Sequence, residues 1–126
     1  MLIHVDTSVL VDAFTGPRRS LPALRGATAR GDVISFCTIV WYGWLRGPRT
    51  DAQKRAVDAF VELERLPAFG TREAACAADL FRAVPRARQR QADLAIAGCA
   101  IEARAALWTL NRQDFKDIPA LVLFLP

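Results

Sequence analysis

The sequence predicts an α/β fold, a three-layer α/β/α domain with a mostly parallel central sheet. Three observations carry this. Short, bounded apolar runs alternate with longer stretches whose apolar residues recur at helical spacing, the pattern of strands and helices wound into a parallel sheet. The first run, Leu2-Ile3-His4-Val5, delivers a carboxylate, Asp6, to the start of a helix, which places an acid at the sheet's carboxyl edge where open α/β sheets bind their ligands. The chain has 126 residues, 52% of them hydrophobic, enough for one domain over 1–126 with a real core.

Each element has a local reason. Leu2–Val5 reads as a buried strand. Thr7 or Ser8 can cap the short helix that follows, and Gly16-Pro17 stops it. A second short helix spans Leu21–Arg30 and ends at Gly31. Val33–Phe36 is the second strand, after which Thr38 caps an aromatic helix running to about Arg46 and broken by Gly47-Pro48. Asp51–Leu66 repeats Ala56, Ala59-Phe60, Leu63 and Leu66 at helical spacing. Leu66–Phe69 reads as a short strand or a turn. Thr71 caps a helix through Val84 that Pro85 ends, although a cap there lacks the acid of a full capping box. Gln91–Ala105 is a long Ala-rich helix, Ala106–Thr109 a strand, Asn111–Phe115 a turn or short helix, and Leu121–Leu125 a final strand. Each crossover between parallel strands is expected to be right-handed.

Composition narrows the classes. Seventeen Lys and Arg against thirteen Asp and Glu give a net charge of +4, and fifteen of the seventeen are Arg, the better bidentate partner for phosphate. A GC-rich genome also produces that ratio. Arg82, Arg86, Arg88 and Arg90 cluster in a stretch, Leu80 to Ala92, that contains no acid, so this segment is either a phosphate contact or a solvated loop. The longest apolar stretch, Phe36 to Leu45, is half the ~20 residues a membrane span needs. The first residues lack the basic region of a secretory signal. Cys37, Cys76 and Cys99 have no metal-site spacing and read as reduced thiols of a cytoplasmic protein. His4, the only histidine, reads as a core or edge residue satisfied by a hydrogen bond. Neither a GxGxxG nor a P-loop is present, which argues against a nucleotide-binding α/β protein.

Asp93 and Asp114, like Asp6, sit where a basic or polar stretch meets an apolar element. Three convergent carboxylates offer the hard oxygen ligands that Mg²⁺ or Mn²⁺ takes, and such ions serve phosphodiester chemistry. Each acid also has a plainer explanation. Asp6 can cap the first helix, Asp93 can complement a helix macrodipole, and Asp114 can satisfy a turn. Asn111 and Thr109 are placed to position a water or phosphate beside Asp114.

Taken together, Val5-Asp6-Thr7-Ser8-Val9-Leu10-Val11-Asp12, Asp93-Leu94-Ala95-Ile96-Ala97, Thr109-Leu110-Asn111-Arg112-Gln113-Asp114-Phe115 and Ile118-Pro119-Ala120-Leu121 resemble the PIN-domain proteins, specifically the VapC-type toxin ribonucleases of toxin–antitoxin pairs. The resemblance covers essentially the full length. It implies metal-binding acids at Asp6 and Asp93, the acid of the last motif at Asp114, and a secondary site position at Asn111. Thr7, Ser8 and Thr109 would support the acids or bind phosphate, as would Arg86, Arg88 and Arg90. It further implies RNA cleavage with Mg²⁺ or Mn²⁺, frequent homodimers and silencing by a cognate antitoxin.

One position departs from the family pattern. Within Thr38-Ile39-Val40-Trp41-Tyr42-Gly43-Trp44-Leu45-Arg46-Gly47, relatives carry a glutamate where this chain has Gly43. A glycine in a helix interior costs about 1 kcal/mol relative to alanine, and Gly47 already supplies the helix stop. The residue reads either as a lost site acid, by divergence or by deliberate substitution, or as a device for close helix packing or a kink. The chain is therefore expected to be an impaired ribonuclease; the alternative is a catalytically silent PIN domain that binds RNA or protein. Trp41, Tyr42 and Trp44 point in different directions around the same helix and divide between core or interface packing and base stacking.

Overall fold

The residues of the first strand are apolar without alternation because both of its faces are covered. A computed structural model describes Met1–Pro126. Leu2–Val5 (β1) lies at the centre of a three-stranded parallel sheet, between Val33–Ser35 (β2) and Ala106–Trp108 (β3). Ile3 stands opposite Ile34 on one side and Ala106 on the other. With the order β2-β1-β3, the direction of winding reverses at β1. The carboxyl ends of β1 and β3 therefore flank the switch point at which such sheets open a crevice.

Six α-helices layer on this sheet: Thr7–Phe14 (α1), Leu21–Ala29 (α2), Thr38–Leu45 (α3), Asp51–Asp58 (α4), Thr71–Ala83 (α5) and Gln91–Glu102 (α6). Helix α1 meets β1, α2 meets β2 and α6 meets β3, while α5 packs on α6, and α3 and α4 pack on α1. Short 3₁₀ turns at Ala87–Arg90 and Arg112–Asp114 lead into α6 and follow β3. The core joins Trp44, Trp108, Phe36 and Phe115, all essentially inaccessible. The three aromatics of α3 divide as their spacing requires. Trp44 is in the core, Trp41 stacks on Phe36 with centroids 6.0 Å apart, and Tyr42 is 64% exposed.

Several boundaries differ from expectation. The caps of α1, α3 and α5 are Asp6, Cys37 and Gly70, each one residue before the threonine that the sequence offers. At α5 the shift moves Glu73 to the third helical position, and its Oε1 accepts the Gly70 N–H at 3.1 Å, supplying the acid that a cap at Thr71 would lack. The helix expected over Asp51–Leu66 ends at Asp58, with only a 3₁₀ turn at Leu63–Arg65 beyond it. Packing outweighs the helical pattern there: Phe60 turns its ring edge-on to Phe14 at 5.4 Å and Val61 enters the core. No strand forms at Leu66–Phe69. The final strand is reduced to a single parallel bridge, Leu107 to Leu123, because β3 has only three residues and Ala120, at φ +65°, turns the chain onto it late. All three cysteines are free, with Cys37 and Cys99 buried and Cys76 partly so.

His4 corrects a further expectation. It is 2% exposed in β1, and its Nε2 has no hydrogen-bond partner. Burial disfavours the charged imidazole and pulls its pKa from 6.5 to about 4. The unfolded chain therefore takes up this proton before the folded chain does. The stability tied to neutral His4 is full above about pH 6.5 and is lost as pH falls toward 4, roughly 3 kcal/mol at the limit. Urea denaturation between pH 7.5 and 4.5 should show this decline, and His4→Leu should flatten it; an equal slope in both proteins would contradict the assignment.

Candidate acid-lined site

Asp6 extends the sheet by one link, its N–H donating to the Trp108 carbonyl at 3.1 Å, and this holds its carboxylate at the carboxyl edge. Oδ1 accepts the Val9 N–H at 3.3 Å and the Ser8 hydroxyl, while Oδ2 accepts the Thr109 hydroxyl. Both hydroxyls are themselves fixed. Ser8 Oγ accepts the Leu110 N–H at 3.1 Å and Thr109 Oγ1 accepts the Asn111 N–H at 3.0 Å. Asp6 thus caps α1 and also stands, 4% exposed, as a rigidly oriented acid joining β1, α1 and the end of β3.

Asp93 lies half-buried in the first turn of α6. Burial raises its carboxyl above the ordinary range, and the negative charges of Asp114 and Asp6 raise it further, with Arg90 pulling the other way. The three acids therefore share one electrostatic neighbourhood. Asp93 and Asp114 line a cavity of about 390 Å³ together with Arg86, Gln89, Arg90, Gln113 and Asp117, with no apolar residue in its wall. Asp6 is not part of that wall. No three His, Cys, Asp or Glu side chains are packed closely enough to form a ready cage for an ion.

The remaining candidates are placed unevenly. Arg86 lines the cavity from a left-handed backbone, φ +54°, and is exposed. Arg88 is exposed but outside the cavity wall, and Arg82 pairs with Asp79. The Arg90 side chain, 12% exposed, is engaged within the chain by Asp117 and by the carbonyls of Asp114 and Pro85. Asn111 is exposed beside Thr109, its carbonyl accepting the Asp114 N–H at 2.9 Å. Sequence reasoning did not find Asp117, whose signal is only a second acid three residues after Asp114.

Gly43 faces α1. A Cβ built on it would lie 2.7 Å from Thr7 Oγ1, the residue directly after Asp6. The position therefore faces the first residue of α1, and it lets α3 approach Thr7 more closely than any side chain permits.

Comparisons with known proteins identify the family and the fold. A family model described as PIN domain matches residues 3–121. No curated protein matches the sequence. Among solved structures, the chain is similar to one described as VapBC2 from Rickettsia felis bound to a DNA fragment from their promoter, with 26% identity, 98% of each chain covered and a TM-score of 0.73. It shares its fold with a toxin–antitoxin complex from Klebsiella pneumoniae (24% identity, 95% of each chain, TM-score 0.71). The same holds for DNA-bound VapBC from Salmonella typhimurium (22% identity, 98% of each chain, TM-score 0.66).

Proposed function

We propose that this chain, which belongs to the PIN-domain family, is the toxin of a VapC-type toxin–antitoxin pair and cleaves RNA phosphodiesters with Mg²⁺ or Mn²⁺. The observation that carries this reading is the polar cavity that Asp93 and Asp114 line together, where burial first, and then the charges of Asp114 and Asp6, push the Asp93 carboxyl upward. Oxygen donors gathered in this way fit a hard cation that keeps several of its waters, which does not require a closed cage. When bound, the ion would neutralise phosphate charge and activate water. Asp6, Asp93 and Asp114 would hold it, Ser8 and Thr109 keep Asp6 oriented, and Arg86 offers a cation to phosphate at the cavity wall. Asn111 and Thr7 stand beside these residues as secondary candidates.

The toxin–antitoxin complexes among similar structures support an antitoxin partner. Tyr42 and Leu45, exposed on α3, are apolar surface suited to that partner or to a second subunit. A cytoplasmic setting belongs to the same proposal, and no helix is long and apolar enough to cross a membrane.

Gly43 favours one second reading, a silent PIN domain that binds RNA without cutting it. Incubation of the protein with RNA across a Mn²⁺ or Mg²⁺ titration separates the two. Cleavage that rises with metal and stops with EDTA is expected; RNA retained intact at saturating Mn²⁺ would establish the binding module instead.

A further inference from the structure

Arg90 and Asp117 are joined by no sequence pattern, yet they make the most heavily bonded polar contact at the site. Arg90 Nη1 donates to Asp117 Oδ2 at 3.0 Å and to the Pro85 carbonyl at 3.2 Å. Nη2 donates to Asp117 Oδ1 and, at 2.9 Å, to the Asp114 carbonyl. One planar guanidinium therefore ties the segment entering α6 to the Asp114 carbonyl and to Asp117, just beyond the turn that carries Asp114. Its fork suits a bidentate carboxylate and leaves donors over for carbonyls, which a lysine would not reproduce. Arg90 lies one turn before Asp93, so it links Asp93 and Asp114, two of the three acids that line the cavity, through the backbone that presents them.

We propose that the Arg90–Asp117 ion pair is a clasp that positions Asp114 against Asp93, making Arg90 and Asp117 positioning residues of the acid site. The alternative use of Arg90, as a free cation for RNA phosphate, conflicts with its enclosure and four hydrogen bonds. The turn also has its own bonds, Asp114 N–H to the Asn111 carbonyl and Lys116 N–H to the Arg112 carbonyl, both 2.9 Å, and Phe115 and Ile118 seat it in the core. Phe115 fixes the depth of the turn, but no hydrogen bond other than those of Arg90 ties the backbone of Asp114 to the segment entering α6.

The inference rests on the proposed ribonuclease reading only for its catalytic consequence, and the experiment separates the two. Asp117→Asn, Arg90→Gln, the double variant and Arg90→Lys would be compared with wild type. Hydrogen exchange of the Asp114–Lys116 amides reads the clasp directly. Mn²⁺ affinity by magnetic resonance reads the acid geometry without requiring turnover. Cleavage kinetics read kcat and KM for RNA. The expected result is amide exchange at least about 10-fold faster in that turn, with α1 unchanged. Mn²⁺ affinity and kcat should fall about 10-fold in each single variant, with no further loss in the double variant and KM for RNA held. Arg90→Lys should recover only part. Unchanged exchange would overturn the clasp even if the protein proves inactive. Additive losses, or a salt-sensitive rise in KM for Arg90→Gln alone, would overturn the positioning role in favour of phosphate binding. Wild type that neither binds Mn²⁺ nor cuts RNA would sink the functional reading, and faster exchange would still establish the clasp; unaltered Mn²⁺ affinity in every variant would refute the positioning of Asp114.

Discussion

Asp6→Asn is expected to lower metal-dependent RNA cleavage by about 100-fold or more while shifting stability by less than about 1 kcal/mol. The substitution is informative because the proposed function gives Asp6 a second role beside the cap it forms on α1. As a cap it needs only an oxygen acceptor for the Val9 N–H, and asparagine is as good a cap as aspartate. As a site acid it needs its negative charge, which asparagine lacks. The Thr109 hydroxyl, which donates to Oδ2, can turn to accept from the new amide. Asp6→Ala removes both roles and should cost about 1–2 kcal/mol of stability in addition to activity. Melting curves and cleavage rates measured on both variants separate the roles. If the Asp6→Asn variant cuts RNA at the wild-type rate, Asp6 is a cap and the metal assignment fails.

The double duty of Asp6 also explains what was legible in the chain. β1 was readable in full because a central strand covered on both faces must be a bounded apolar run. The helix starts were readable only to within a residue. Thr7, Thr38 and Thr71 carry the hydroxyls of good caps, but the residue before each is extended and takes the cap position. At Gly70 the signal is Glu73 three residues on, which accepts the Gly70 N–H; at Cys37 no local signal favours the cysteine, and the choice is made by where the chain turns off β2. Asp93 and Asp114 were recognisable as acids at element boundaries, and they line one cavity. The Arg90–Asp117 pair was not, since its two residues are 27 apart and neither lies in a pattern. An arginine in a basic stretch looks free for phosphate until a partner from a distant turn is seen to occupy it. The lost strand at Leu121–Leu125 has the same origin, a pattern that fits a strand beside a neighbour too short to pair with it.

Gly43→Glu is expected to raise Mn²⁺ affinity and cleavage, and to do so fully only when Thr7 is also replaced. The resemblance to VapC-type toxins leads to the expectation of a glutamate at residue 43, and the Cα–Cβ direction there points at Thr7, at the start of α1. An added carboxylate there would supply a further oxygen ligand to a site whose three acids form no closed cage. Helix propensity favours the change as well, by about 1 kcal/mol over glycine. Against it stands Thr7 Oγ1, 2.7 Å from the new Cβ, closer than packed atoms tolerate. Rotating a β-branched side chain at the first helical position is confined to few rotamers, so the clash is relieved at a cost of about 1–3 kcal/mol. Thr7→Ala removes the obstructing oxygen. The single Gly43→Glu variant should therefore gain up to about 10-fold in activity with a lower melting temperature, and Thr7→Ala/Gly43→Glu should gain more, on the order of 100-fold, with the stability restored. Thr7→Ala alone should gain nothing. A double variant that regains stability but cuts RNA no faster than wild type would mean that Gly43 serves the close approach of α3 to α1, and that this site works, or rests, with the acids it already has.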